Sequence, residues 1–291
     1  MPYGRTPHIR TLCGALVALA LLAAPVAEAR GKPGIAALQV ALTERGLYDG
    51  TIHGVADAQT AAAVRAFQRR KHLAADGVVG PTTVAALGRY ARFNLGERTL
   101  RQGMRGWDVA ALQFLLAWRG FPSGTFDGDF GPRTDAALRA YQGWRGLTAD
   151  GVLRREHVRG LRQRPPRSPL PLRPPVAAPA VDGFGPRGSR FHAGLDFPAG
   201  GGAAVRAARG GVVTSAGWDY GGFGNLVVVR HGRGVETWYA HLARVRVRPG
   251  ERVGRGERLG NVGATGLATG PHLHFEVRLR GAGVDPLAAL R

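Results

Sequence analysis

Three short helical patterns lie early in the chain and then return. Ile35, Leu38 and Leu42 keep helical spacing, as do Val64 with Phe67 and Val84 with Leu87, which predicts three amphipathic helices. Glycine-rich breaks at Tyr48-Asp49-Gly50-Thr51 and Ala75-Asp76-Gly77 separate them. The stretch Ile35 to Leu87 then recurs as Val109 to Leu161, at a constant offset of 74 and without a gap. Ala37-Leu38-Gln39 returns as Ala111-Leu112-Gln113, Gln68 as Gln142, and Asp76-Gly77-Val78 as Asp150-Gly151-Val152. The chain therefore holds an internal duplication of a three-helix module.

The second half carries a different period. Short Val-rich runs broken by glycine occur at Gly210–Val213, Asn225–Arg230, Gly234–Tyr239 and Val245–Val247, the pattern of short antiparallel strands. Between the halves, residues 163–180 carry Pro165, Pro166, Pro169, Pro171, Pro174, Pro175 and Pro179 with arginines interleaved. Such a stretch cannot form a helix and favours extended polyproline structure, with a reach of about 55 Å at about 3.1 Å per residue. The expected fold class is therefore multidomain, with two small all-α three-helix modules followed by an all-β antiparallel domain. The boundaries fall at 1–29, 30–90, 98–162, 163–180 and 181–291. A bend at Asp219-Tyr220-Gly221-Gly222-Phe223-Gly224 brings two aromatics to a loop that is either a groove wall or a plain hairpin turn.

Residues 1–29 read as an export signal: basic Arg5 and Arg10, an apolar run from Leu12 to Val26, and a small-residue cleavage site at Ala27-Glu28-Ala29. The apolar run is shorter than the about 18 to 20 residues a spanning helix needs, so no stable membrane insertion is expected after cleavage. Cys13 is the only cysteine, which excludes disulfides from the mature chain. The formal charge of +20 comes almost wholly from arginine, since Lys32 and Lys71 are the only lysines. It favours polyanionic partners, but no nucleic-acid motif accompanies it, so nucleic acid is not expected.

Five of the nine histidines, His192, His231, His241, His272 and His274, lie in the last hundred residues. Two histidines and an aspartate can hold zinc and leave a position open for water. The run His272-Leu273-His274-Phe275-Glu276-Val277 alternates as a strand, so both imidazoles share one face. Spacing alone lets either or both bind. His231, His53, His72 and His157 are expected to serve structural roles.

Read together, His192-Ala193-Gly194-Leu195-Asp196, Tyr239-Ala240-His241-Leu242 and Thr269-Gly270-Pro271-His272-Leu273-His274-Phe275-Glu276 resemble the motifs of lysostaphin-type (LytM-like) zinc metallopeptidases of bacterial cell walls. The duplicated module, with Asp127-Gly128-Asp129-Phe130-Gly131-Pro132-Arg133-Thr134 in its second copy, is similar to peptidoglycan-binding modules. The resemblance implies His192, Asp196 and His274 as ligands of one Zn2+ ion per catalytic domain, with His241 and His272 as unligated catalytic residues beside it. It implies a secreted, wall-directed endopeptidase whose partner is peptidoglycan, with anionic wall polymers as a further candidate. The rival reading is a non-catalytic wall-binding protein that activates another hydrolase. Degenerate relatives of that kind lack one or more of the five positions, all of which are filled here.

Overall fold

The computed structural model describes residues 31–291, so the expected export signal lies outside the described residues. The described chain forms one compact unit. Its first part holds α1 (Pro33–Thr43), α2 (Ala58–Arg70), α3 (Pro81–Leu87), α4 (Trp107–Trp118), α5 (Pro132–Trp144) and α6 (Arg155–Leu161). These are the two three-helix modules, and equivalent helices α1 and α4 pack on each other. Their apolar faces merge into one core that includes Leu42, Val64, Phe67, Leu112, Leu116, Leu138 and Tyr141.

Each module is knotted locally by buried glutamines. Gln142 donates to Asp150 Oδ1 (2.9 Å) and the Val152 carbonyl (3.1 Å), and accepts from the Gly151 N–H (3.0 Å). Gln68 does the same with Asp76, Val78 and Gly77. Gln39 and Gln113 repeat the device one loop earlier in each copy. These loops have no sheet or helix to satisfy their backbone, so one amide side chain supplies the missing donors and acceptors.

The remaining chain is antiparallel β. Its strands are β1 (Gly185–Arg187), β2 (Arg190–His192), β3 (Leu195–Phe197), β4 (Ala204–Arg206), β5 (Gly211–Asp219), β6 (Gly224–Arg230), β7 (Val235–Ala240), β8 (Leu242–Val245), β9 (Arg252–Val253), β10 (Arg258–Val262), β11 (Leu273–Leu279) and β12 (Ala282–Val284). The main sheet runs β12-β11-β7-β6-β5-β9, with β3 pairing the other half of the β11 edge. A smaller sheet runs β4-β10-β8, and β1-β2 form a hairpin. Val227, Val229, Tyr239, Phe275 and Val277 face the core between them. The all-α then all-β order matches the sequence pattern.

Residues 163–180 contain no helix but do not reach into solvent as a tether. Leu170, Leu172 and Val176 are buried in the β-domain core. Leu172 donates to the Ala289 carbonyl and accepts from Arg291 N–H, and Arg173 donates to the Ala208 carbonyl. Three apolar side chains among the prolines gain more from burial than the segment gains from free extension, which removes the long reach expected from its composition.

Replacing Gln142 with leucine strands the Gly151 N–H and the Val152 carbonyl. The expected cost is about 2 kcal/mol, read as a lower urea midpoint for the helical part, with the β domain's metal affinity unchanged.

Candidate metal centre

The site is assembled from three pieces of chain by strand register. Asp196 in β3 stands directly across from His274 in β11. His192 ends β2 just before the turn into β3, and Gly194 lets that turn pass: a Cβ there would sit 2.6 Å from the Phe275 carbonyl and 2.8 Å from the His274 ring. His192 Nε2, Asp196 Oδ1 and His274 Nδ1 form a triangle with sides of 3.1, 2.8 and 3.0 Å. They are the one set of three or more such ligand atoms gathered this closely among the described residues.

The outer partners fix which nitrogen of each ring faces inward. His192 Nδ1 donates to the Gly183 carbonyl at 2.9 Å, so its Nε2 carries the lone pair. His274 uses the opposite nitrogens. Its Nε2 lies 3.1 Å from the buried Glu276 carboxylate, leaving Nδ1 for the centre. Asp196 divides its oxygens, Oδ1 towards the histidines and Oδ2 to Arg187 at 2.8 Å. Arg187 also pairs with Asp182 at 2.5 Å.

Three such acceptor atoms aimed at one point repel unless a proton or a metal cation lies among them. Burial pushes the His274 imidazole down, yet hydrogen bonds to Asp196 and Glu276 outweigh it and hold it up to about 9. Burial likewise raises the Asp196 carboxyl, but the two imidazoles and Arg187 hold it far below the usual carboxylate range. The point attracts positive charge from both sides. Zinc bonds of about 2.0–2.1 Å in a tetrahedron put ligand atoms about 3.3 Å apart, and the observed triangle is within about half an ångström of that. Two imidazoles and one carboxylate oxygen, each oriented by an outer partner, fit zinc.

Glu276 is the residue beside the triangle that motif reading left without a role. It is 2% exposed, accepts from His274, and is paired to Arg278, whose Nη2 lies 2.7 Å away. Arg278 in turn lies 3.5 Å from the centre of the Trp238 ring. The signal was present in the strand period, which puts 272, 274 and 276 on one face.

His241 and His272 stand beside the triangle with ring centres 4.8 Å apart. His241 falls between β7 and β8 at φ 62°, a left-handed conformation rare outside glycine. Its N–H is held by the Phe223 carbonyl at 2.9 Å. Local strain of this sort turns the ring into the cleft. His241 Nδ1 donates to the Thr265 carbonyl and His272 Nδ1 to the Gly270 carbonyl, both at 2.8 Å. Each therefore offers Nε2 to the cleft. Burial, together with neighbouring His272 and His274, lowers His241, so it stays neutral.

All five residues line one cleft of about 310 Å³, closed on its other sides by Arg187, Gly221, Gly222, Phe223, Leu267 and Thr269. The 219–224 segment is thus both hairpin turn and groove wall, although only Phe223 of its two aromatics faces the site, since Tyr220 is 95% exposed. A larger cleft of about 790 Å³ lies between residues 94–99 and α6, far from the triangle in the chain, with Arg98, Arg155, Arg159 and Arg162 in its lining. Three of the other histidines have structural partners. His231 bridges the Gly210 carbonyl and Thr237, His53 takes Asp127's place beside a buried glutamine, and His157 caps α6.

A Glu276→Gln substitution keeps the volume and removes the charge behind His274. Zinc affinity is expected to fall about 10- to 100-fold, measured by competition with a chelator, while His274→Ala abolishes binding.

Comparison with known proteins finds relatives for both parts of the chain. Residues 190–286 match peptidase family M23, and residues 31–87 and 105–156 match the peptidoglycan binding domain family. The DD-carboxypeptidase/endopeptidase Mpg of Neisseria meningitidis serogroup B is 48% identical over 99 residues, 34% of this chain and 23% of that protein. Peptidoglycan DD-endopeptidase ShyA of Vibrio cholerae is 41% identical over 98 residues, again 34% of this chain and 23% of that protein. The chain spans less than a quarter of the length of these curated relatives. Among solved structures, the catalytic domain of lysostaphin from Staphylococcus simulans is 32% identical, covering 38% of this chain and 90% of that one, with a TM-score of 0.36. The β domain that carries the His192, Asp196 and His274 triangle belongs to peptidase family M23, and the helical modules ahead of it are peptidoglycan binding domains.

Proposed function

We propose that this protein is an exported zinc-dependent endopeptidase that hydrolyses peptide bonds in the stem cross-links or bridges of peptidoglycan, brought to the wall by its two binding modules. The observation that carries the reading is the triangle of His192, Asp196 and His274 with two further histidines on its open side. A non-catalytic activator has no use for that complete set. The relatives named DD-endopeptidases support the substrate class. Among the described residues no helix is long and apolar enough to cross a membrane, in keeping with a chain that works at the wall.

Zinc held by the triangle supplies a Lewis acid that acidifies water towards a pKa of about 7 and polarises the scissile carbonyl. The chain's own groups do the rest. His241, held neutral with Nε2 free, accepts the proton of the attacking water. His272 Nε2, 3.9 Å from Asp196 Oδ1, faces the same side of the cleft and is placed to donate to the oxyanion or to the leaving amine. Arg187 occupies the second oxygen of Asp196 and keeps that carboxylate from turning away. Phe223 and Leu267 form the apolar part of the groove wall.

Digestion of purified peptidoglycan by the mature protein is expected to release new amino groups at one defined peptide bond, identified by mass spectrometry, with activity lost to a chelator and restored by zinc. His241→Ala is expected to lower kcat at least 100-fold while retaining bound zinc. Wall binding without new termini, or equal zinc loss in His241→Ala and His274→Ala, would refute these assignments.

A further inference from the structure

The hairpin that delivers His192 is held from outside its own domain. Gly183 accepts the His192 Nδ1–H, and the residues next to each partner, Phe184 and Phe191, stack edge-on with ring centres 4.9 Å apart. Both rings pack against Trp118, the last residue of α4 in the second module, at 6.3 and 5.2 Å. Phe191 is thereby drawn into the helical core.

The hairpin's tip is gripped as well, and by both copies. The Gly188 carbonyl accepts from Ile52 N–H at 2.9 Å, and the next carbonyl, Ser189, accepts from Phe126 N–H at 2.7 Å. Ile52 and Phe126 are equivalent residues at the repeat offset of 74. On the far side, the Gly283 N–H donates to the Gly120 carbonyl at 3.0 Å, and a Cβ on Gly120 would meet the Gly283 oxygen at 2.2 Å. Trp144 Nε1 donates to the Leu279 carbonyl at the end of β11, the strand of His274.

The two copies differ at the contact positions. Where the second has Trp118 and Trp144, the first has Glu44 and Arg70. Glu44 pairs with Arg105 and Arg70 is exposed. Polar residues on one copy and aromatics on its twin mark a face built for a partner, and the β domain is the partner seated there.

We propose that Trp118 is a positioning residue for the metal centre: the second module buttresses the Phe184–Phe191 pair and so fixes the Gly183–His192 hydrogen bond that aims Nε2 at the ion. The binding modules are part of the catalytic unit, and the Trp118 face of the second copy is occupied by the peptidase. This inference rests on the reading of His192 as a zinc ligand. Without the indole, the hairpin loses its backing, His192 samples other orientations, and the ordering cost falls on metal binding.

The test uses the full mature chain carrying Trp118→Ala, Trp118→Phe or no substitution, with Trp118→Leu as an apolar filler should alanine unfold the module. Zinc affinity is measured by chelator competition, and hydrogen exchange of residues 184–192 is followed in the metal-free protein. Trp118→Ala is expected to bind zinc about tenfold more weakly and to exchange faster across the hairpin. Trp118→Phe is expected to restore both, because the Trp118 Nε1 makes no hydrogen bond to a protein group. Zinc affinity and exchange equal to the unsubstituted protein in the alanine and leucine variants would overturn the proposal. Failure of the unsubstituted protein to bind zinc would sink the zinc reading instead, and hairpin exchange would then decide the role of Trp118 by itself.

Discussion

Electrostatic frustration at one point organises the β domain. Two imidazole lone pairs and a carboxylate oxygen converge within about 3 Å of one another, an arrangement that repels itself unless positive charge is supplied. The fold maintains it by surrounding each donor with a partner that forbids retreat. The Gly183 carbonyl holds His192, the Glu276 and Arg278 pair holds His274, and Arg187 holds Asp196. Each partner is itself fixed by a strand or by an aromatic ring. The rigidity of the sheet is thereby spent on keeping three like-minded acceptors together, which is what a metal then rewards.

The outer layer also explains why the two histidines of the triangle turn different nitrogens inward. His192 sits at a hairpin end where a main-chain carbonyl is the acceptor for Nδ1, whereas His274 lies near the start of β11 with a same-face carboxylate two residues on that captures Nε2. Strand geometry chooses the tautomer, and the tautomer chooses the ligand atom. The pair on the open side follows another rule. His241 and His272 both spend Nδ1 on a loop carbonyl, so both leave Nε2 free for substrate.

Parts of this were legible in the sequence for physical reasons. The duplicated modules showed themselves because a repeat at fixed offset survives surface divergence, and the shared face of His272, His274 and Glu276 follows from the period of two. The pairing of Asp196 with His274 did not, because strand register is set by contacts some 80 residues apart in the chain. The left-handed turn at His241 carries no glycine to announce it. The proline-rich segment misled in the opposite direction: its backbone is extended as composition predicts, but Leu170, Leu172 and Val176 pin it to the β domain. The Trp118 and Trp144 substitutions between copies were visible as letters, yet their meaning needs the partner surface that only the folded chain supplies.

Anomalous diffraction at the zinc edge from crystals of the protein is the most direct measurement of the central claim. One strong peak within bonding distance of His192 Nε2, Asp196 Oδ1 and His274 Nδ1, with His241 and His272 outside that distance, is the expected result. A peak bound instead by His241 and His272, or none in crystals grown with zinc in excess, would contradict it.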